Sequence, residues 1–548
     1  MSATAIELGH PALALRRREL FIGAAVTAAL AALLVVLGPA PADAPAHLYR
    51  TLLVRDGTFI WDNYWYDGSY PLASYSLLYY LPAALVGNLP LVFVAAVAST
   101  VLFGLIAFRE WGVAALWPAR LFGVCAAAPL FTGLYAYSLG FTAMLGALRA
   151  LQSRRTWLCI ALAAVTIGFS PLAFAFLCLI AGAVFAARRR LTSRVVVTAA
   201  GLLGAAAIQV AALVAFPTRT GPYPFHGVDF AAVVGICIVG ALLARRARGA
   251  TPLLAFYVLW GIGSVFLFFV PSPLGDNWTR LSEFMVPVML LTASLAGFRP
   301  RKLVALALAG AVAYNITPYL LLVPYRIDDR SGRAAFWQPA ISFLRQHARP
   351  GFRVEVVPTA SHWESYWIPK AGFALARGWY QQLDVVANPV LYETHLDAAS
   401  YRRWLRSAAV EFVLVPRTKL DWHGASREAR IVASPASGLH VVWRTPNWTI
   451  YGLPHPTPLL TGPGAARVHE FGHTTIRGSV GAPGRYLLRA HYSPYWRLNV
   501  PGCIARAAGM MTEVSFSEAG PFTLSVASTP SGLLRSGADA SSCASAAR

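Results

Sequence analysis

The sequence predicts a polytopic α-helical membrane protein of about eleven transmembrane helices, with an extracytoplasmic C-terminal region of α/β and β-sandwich type. Of the 548 residues, 57% are hydrophobic and 13% are charged, whereas soluble domains carry about 25% charged residues. Apolar runs of the ~17 to 25 residues that cross a bilayer recur along the first part of the chain. The predicted spans lie near residues 20–40, 89–108, 112–133, 135–151, 156–170, 172–187, 195–216, 229–244, 251–270, 281–298 and 303–323.

Clusters of arginine predict the orientation of these spans. The clusters fall at residues 16–18, 154–155, 188–190, 245–248 and 299–302, and an even number of predicted spans separates each from the next. Positive residues favour the cytoplasmic side of a bacterial plasma membrane, so the N-terminus is predicted to be cytoplasmic and the C-terminal region extracytoplasmic. These inner loops also explain much of the net charge of +22, so we expect no nucleic-acid partner.

The first apolar stretch has two interpretations. Arg16 to Arg18, the apolar run and Ala40-Pro41-Ala42 are similar to the three regions of a cleaved signal peptide. The apolar run is nearer 20 residues than the roughly 7 to 15 of a signal peptide, which favours an uncleaved anchor. The chain uses only three lysines, Lys302, Lys370 and Lys419, an arginine bias typical of a high-GC bacterium.

Asp43, His47 and Arg50 follow this stretch directly and are the main functional candidates. Pro45 favours a short helix, on which these three residues share one face. Asp43 has an alternative role as the N-cap of that helix, because Asp is among the preferred capping residues. The long outer loop 43–88 is dense in aromatic residues, which commonly anchor proteins at a bilayer surface and also pack against sugar rings and isoprenoid tails.

The order of motifs in this loop resembles a known family. The motifs are Asp43-x-x-x-His47, Trp61, Gly68-Ser69-Tyr70-Pro71 and Tyr79-Tyr80-Leu81-Pro82. They are similar to those of bacterial membrane proteins described as 6-pyruvoyl-tetrahydropterin synthase-related, which in turn resemble the GT-C superfamily of integral membrane glycosyltransferases. The resemblance implies transfer of a sugar from a polyprenyl-phosphate donor, with an outer-loop acid that acts as general base or helps to bind a divalent metal. That role falls on Asp43, whose neighbour is Ala44 rather than a second acid, so we assign no metal ligands and leave a divalent metal open.

Sugar transfer needs a base near the attacking hydroxyl and cationic groups on the departing phosphate. We predict Asp43 and His47 as the catalytic residues. The candidates for binding donor phosphate and substrate are Arg50, Arg55, Arg280, Asp276, Glu283, Trp61 and Tyr70. Arginine suits phosphate because its planar fork matches phosphate oxygens. We rank Arg219, His226 and Asp229 lower, and we expect Asp62 and Asp67 to be solvated loop carboxylates that offer an alternative second acid.

Ionisable residues inside the predicted spans are scarce. Arg120 lies within the third span, where a lipid phosphate or backbone carbonyls are its expected partners. An ion-coupled transporter would carry buried acids in its pathway, so this scarcity favours an enzyme. The alternative to a glycosyltransferase of the EC 2.4 class is a non-catalytic transporter, flippase or cell-envelope assembly protein on the same scaffold.

The composition changes after Tyr325. We predict a multi-span domain at 1–325, an extracytoplasmic α/β domain at 326–457 and a β-sandwich-like domain at 458–548. Cys503 and Cys543 both fall in the last domain, where an oxidising compartment favours a disulfide between them. The aromatic segment 362–384 is predicted to be mainly packing surface.

Overall fold

Two units with different architectures make up the chain in the computed structural model, which describes residues 10–71, 75–188, 192–216 and 221–526. The helical unit contains the described residues up to Ala44, Tyr75–Ala215 and Gly221–Ile327. The C-terminal unit contains residues 45–71, Phe216 and the described residues from Asp328 onward. The loop predicted at 43–88 is therefore divided, because its first half belongs to the C-terminal unit by its contacts.

Helices form nearly all of the first unit. Its α-helices are α1 (His10–Leu37), α3 (Tyr80–Val86), α4 (Asn88–Trp111), α5 (Leu116–Cys125), α6 (Ala128–Thr132), α7 (Tyr135–Gln152), α8 (Thr156–Phe169), α9 (Pro171–Arg188), α10 (Ser193–Ala215), α11 (Gly227–Ala244), α12 (Thr251–Phe269), α13 (Met285–Leu295) and α14 (Arg301–Ile327). Helix α2 (Ala44–Arg55) belongs to the C-terminal unit from Pro45 onward. A 3₁₀ helix at Gly112–Ala115 lies between α4 and α5. A second, at Gly275–Phe284, precedes α13 and is called the site 3₁₀ helix below.

Seven segments of the described chain are long and apolar enough to cross a membrane. They are Ala14–Leu37, Asn88–Thr132, Pro171–Arg188, Ser193–Ala215, Gly227–Ala244, Thr251–Phe269 and Arg301–Val323. The helix Thr156–Phe169 is apolar but shorter. These helices indicate a multi-pass membrane protein. The count of about eleven spans and the orientation of the termini stay predictions.

Arg120 has a protein partner. Its guanidinium donates from Nε to Glu19 Oε2 at 2.6 Å and from Nη2 to Glu19 Oε1 at 2.8 Å, and this pair joins α5 to α1. The expected lipid phosphate or carbonyl partner is thus replaced by a carboxylate near the start of the first span. A bidentate pair is a strong way to hold two charges on apolar helices.

The C-terminal unit begins with a mixed α/β layer. Its helices are α15 (Ala334–His347), α16 (Glu364–Lys370), α17 (Gln381–Ala387), α18 (Ala398–Ser407) and α19 (Ala425–Ala433). Its strands are β1 (Arg353–Val356), β2 (Val410–Pro416), β3 (His440–Arg444) and β4 (Trp448–Gly452), in the sheet order β1-β2-β4-β3. The β1–β2 pair is parallel and the other pairs are antiparallel. Strands β1, β2 and β4 are almost wholly buried, as expected for a sheet covered on both faces.

Two further antiparallel sheets follow. The strands are β5 (Leu460–Thr461), β6 (Ala466–Phe471), β7 (Thr475–Val480), β8 (Gly484–His491), β9 (Trp496–Leu498), β10 (Gly502–Arg506), β11 (Met511–Phe516) and β12 (Gly520–Val526). The sheet orders are β10-β11-β8-β5 and β6-β7-β12-β9. Alternate residues of β8, β11 and β12 point inward, and Phe516 packs between Tyr486 and Phe522. Cys503 on β10 is disulfide-bonded, whereas Cys543 lies outside the described residues.

Residues 45–71 are built into this unit rather than lying on its surface. The indole of Trp61 packs edge-on against Trp496, and the hydroxyl of Tyr64 donates to the carbonyl of Phe471. The indole of Trp65 donates to the carbonyl of Ser365, and the hydroxyl of Tyr70 bonds to that of Ser493. The aromatic density of this segment therefore serves a protein core.

Candidate active site

Asp43 and Arg280 lie close together in the helical unit. The carboxylate Oδ2 of Asp43 is 4.0 Å from Nη2 of Arg280, and the two side chains are 35% and 25% exposed. At this distance the charges attract strongly without forming a hydrogen bond. Each group thus keeps polar atoms that a ligand can reach. The sequence prediction placed both residues in the site, and the structure brings them together.

Gly133 positions the backbone of Asp43. It ends α6 in the left-handed conformation, with φ +87°. A Cβ atom at this position would lie 3.0 Å from the nitrogen of Asp43 and 2.8 Å from that of Ala44. Only glycine combines this φ with such a close approach. The end of α6 therefore supports the chain directly under the candidate base.

The site 3₁₀ helix carries Arg280 together with both predicted acids of this loop. Arg280 donates from Nε to the side-chain oxygen of Asn277 at 2.9 Å, which orients its guanidinium. Asp43, Tyr75, Tyr223 and Glu283 are the groups that act electrostatically on Arg280. Oε2 of Glu283 is buried and has no hydrogen-bond partner within the described residues. A buried carboxylate oxygen without a partner is costly, and such atoms are frequent at functional sites.

Gly275 at the start of this helix lets two loops of the helical unit meet. A Cβ atom there would lie 1.5 Å from the carbonyl oxygen of Tyr223, so no larger residue fits. The backbone nitrogen of Tyr223 donates to the carbonyl of Ser272 at 2.9 Å. These contacts bring the loop before α11 against the loop before α13.

That contact assembles a cluster of possible metal ligands from His226, Asp229 and Asp276. One ligand atom of each lies within 4.8 Å of the others, and Nδ1 of His226 is 3.6 Å from Oδ2 of Asp276. Burial, together with the charge of Asp229, raises the pKa of Asp276, although His226 opposes the shift. Oδ1 of Asp229 also accepts a hydrogen bond from Tyr314 at 3.0 Å. Imidazole and carboxylate groups suit a divalent cation such as Zn²⁺ or Mn²⁺.

His226 and Asp229 rank below the other candidates in the sequence prediction because their loop has the composition of an ordinary connection between two helices. The signal that marks them is His-x-x-Asp at the start of a helix, since a spacing of three puts both side chains on one face. Arg219, from the same loop, lies outside the described residues.

The other predicted site residues belong to the C-terminal unit. His47, Trp61 and Tyr70 are buried there, at 1%, 1% and 5% exposure. Arg50 is 2% exposed, donates to the carbonyl of Pro71 at 2.8 Å and lies 4.5 Å from the ring centre of Tyr380. Arg55 is exposed at the end of α2.

Asp62 and Asp67 are internal charges of the C-terminal unit, contrary to the expectation of solvated loop carboxylates. Asp62 accepts from the hydroxyl of Tyr49 at 2.9 Å and lies 2.8 Å from Nδ1 of His473. Asp67 lies 3.0 Å from Nη1 of Arg353. Their charged partners, His473 and Arg353, stand hundreds of residues away in the sequence, so local composition could not reveal them.

Comparison with protein-family models gave no match for this chain, and comparison with curated proteins gave none either.

Proposed function

We propose that this protein is a GT-C-like glycosyltransferase of the outer membrane face, which moves a sugar from a polyprenyl-phosphate donor to a cell-envelope glycan, lipid or protein. The observation that carries the proposal is the approach of the Asp43 carboxylate to the Arg280 guanidinium, with both side chains partly exposed. A carboxylate and a guanidinium are the two groups that this transfer needs side by side.

The proposed chemistry assigns one role to each residue. Asp43 removes the proton from the acceptor hydroxyl as that oxygen attacks the anomeric carbon of the donor sugar. The bond from the anomeric carbon to the phosphate oxygen breaks, and the polyprenyl phosphate leaves with the electron pair. Arg280 binds the phosphate oxygens and stabilises the charge that develops on them. The 4.0 Å gap leaves each group able to bind its own ligand.

An apolar cavity in the helical unit supports a lipid donor. It has a volume of about 180 Å³, and its lining is almost entirely aliphatic and aromatic. Leu281 and Phe284 line it and belong to the same 3₁₀ helix as Arg280. Glu110 and Gln152 are among its few polar lining residues. Such a lining suits hydrocarbon, and the volume admits a short stretch of an isoprenoid chain.

The test uses the full-length protein in lipid nanodiscs with a panel of radiolabelled polyprenyl-phosphate sugars and isolated cell-envelope glycan as acceptor. We expect Asp43→Asn to lower the transfer rate by roughly 10² to 10⁴ while the protein stays folded, because the amide cannot take a proton. Asp56→Asn is the matched control, since Asp56 is an exposed carboxylate just after α2, and it should transfer at the wild-type rate.

Two results would contradict the proposal. If wild-type protein transfers sugar from none of the donors, the protein is not this enzyme, and a transporter or assembly factor becomes the better hypothesis. If Asp43→Asn transfers as fast as wild type, Asp43 is not the base. A retained melting temperature in the variant shows that a loss of transfer is chemical rather than structural.

A further inference from the structure

A second cavity lies wholly within the C-terminal unit. It has a volume of about 220 Å³. The loop after α15, the first residues of β1, the turn after α16, one residue of β2 and the end of β6 form its walls. None of the site residues predicted from the sequence is among the residues that line it. A protein has few such cavities, and polar groups in a partly apolar wall are the usual mark of a ligand site.

Opposite charges are paired in one wall. Arg349 donates from Nε to Oε1 of Glu411 at 2.7 Å, and its backbone nitrogen donates to Oε2 of the same carboxylate at 3.2 Å. The guanidinium of Arg349 lies 4.3 Å from the ring centre of Phe352. Glu411 and Phe352 therefore hold the guanidinium of Arg349, which lines the cavity.

Arg353 adds a buried donor that the protein leaves unused. Its side chain has no exposed surface, yet it lines the cavity. Its Nη1 and Nη2 donate to the carbonyls of Ala408 and Arg489 at 3.1 and 2.7 Å. Its Nε has no hydrogen-bond partner among the described residues. Buried N–H groups are nearly always paired, so an unpaired one in a residue that lines a cavity points to a ligand site.

Phe373 gives the cavity an aromatic face. It is half-buried, lines the cavity and pairs with no other ring in the described part of the chain. Phe352 and Phe471 complete the aromatic lining. The C–H groups on one face of a sugar ring pack on such rings, while the hydroxyls at the ring edge seek donors and acceptors.

From this combination we infer that the C-terminal unit binds a single neutral sugar residue in this cavity. Each charge in the lining has a partner, since Arg349 pairs with Glu411, Arg353 with Asp67 and Glu470 with Arg477, so the occupant is neutral. The volume is below the ~300 to 1,000 Å³ typical of sites for drug-sized ligands, which fits one ring rather than an oligosaccharide. The inference deepens the proposed function and rests on it for one point, namely that the bound sugar belongs to the acceptor glycan.

The test is saturation-transfer NMR on the full-length protein in lipid nanodiscs, because maltoside detergents would present sugars of their own. The probes are the methyl glycosides of D-mannose, D-glucose, D-galactose and D-arabinofuranose. We expect at least one probe to receive magnetisation at the protons of one ring face. Phe373→Ala should weaken that binding by roughly tenfold because the stacking face is lost, and Phe373→Trp should restore it.

Trp422→Ala is the matched control, since Trp422 is an aromatic of the same unit that is 79% exposed and lies outside the cavity lining. It should bind the probe as wild type does. Absence of transfer to every probe, or equal signals from wild type and Phe373→Ala, would overturn the inference. Binding without glycosyltransferase activity would refute the proposed function alone, and activity without binding would refute this sugar site alone.

Discussion

At Arg280, one substitution can separate the effect of the positive charge on donor binding from the effect of the side-chain geometry. Arg280→Lys keeps the positive charge but replaces a planar fork of five donors by a single ammonium group. We expect the KM for the polyprenyl-phosphate donor to rise by roughly tenfold or more and kcat to fall, because the lysine cannot bind two phosphate oxygens in one plane. Steady-state kinetics over a range of donor concentrations measures both constants.

Arg485→Lys is the control for this variant, since Arg485 is an exposed side chain of β8 in the other unit. Unchanged donor kinetics in Arg280→Lys would mean that Arg280 serves the structure rather than the phosphate.

His362 makes the stability of the C-terminal unit depend on pH. Burial alone would lower the pKa of this imidazole, but the neighbouring carboxylates of Asp421 and Glu364 outweigh burial and raise the pKa to about 9. Its Nδ1 lies 3.1 Å from Glu364 and its Nε2 lies 3.6 Å from Asp421, and its ring stacks on Trp379. The cation is therefore held between two carboxylates in a buried site.

The sign of the effect follows from this raised pKa. The folded state holds a proton up to about pH 9, whereas an unfolded histidine releases it near pH 6.5. The stabilisation by His362 is complete below pH 6.5 and is lost as the pH rises towards 9. Thermal melting of wild-type protein and His362→Gln at several pH values measures it. The melting temperature of wild type should fall over this range, and the variant should show a smaller slope. Equal slopes would contradict the assignment.

At the scale of elements, the end of α6 controls the position of Asp43. Gly133→Ala forces a left-handed alanine, which costs about 1 to 2 kcal/mol, and also places a methyl group against the backbone of Asp43 and Ala44. We expect both a lower melting temperature and a loss of sugar transfer, because the candidate base is displaced. The transfer assay and thermal melting, applied to the same preparation, measure the two effects.

Gly249→Ala is a matched control within the helical unit. Gly249 has φ +76°, and a Cβ atom there would meet nothing within 4 Å. It should lose similar stability by the same left-handed strain and keep its activity. If both variants transfer sugar equally well, the contact between Gly133 and Asp43 does not contribute to the transfer activity.

The elements that the sequence predicted best are those with a strong local signal. Most of the apolar runs form single helices, because every backbone donor in an apolar environment must be satisfied inside its own segment. The run predicted at 112–133 is instead divided among a 3₁₀ helix, α5 and α6. From the sequence, Asp43 and Arg280 could be predicted only to lie at a similar depth in the membrane. No local sequence pattern connects two residues so far apart in the chain. Segment 45–71 was harder still, because aromatics that anchor a protein in lipid have the same composition as aromatics that fill a protein core.

At the scale of the whole molecule, orientation is the next property to measure. The arginine clusters predict that the turn after α11 is cytoplasmic and the C-terminal unit external. In intact cells, a membrane-impermeant maleimide should label Trp422→Cys but not Arg248→Cys, and both should be labelled after lysis. Both positions are exposed in the structure. Wild-type protein gives the background. Labelling of Arg248→Cys in intact cells would reverse the predicted topology.

The union of residues 45–71 with the C-terminal unit has a consequence for how the chain is made. Asp62 and His473, which are hydrogen-bonded, are separated by 411 positions. At about 5 to 20 residues per second, a ribosome needs roughly 20 to 80 seconds to reach the partner strands. Throughout that interval the early aromatic segment has left the ribosome without the residues that will enclose it. Its burial is therefore among the last events of maturation, and a chain shortened before β6 would leave this tryptophan- and tyrosine-rich stretch open to chaperones and proteases.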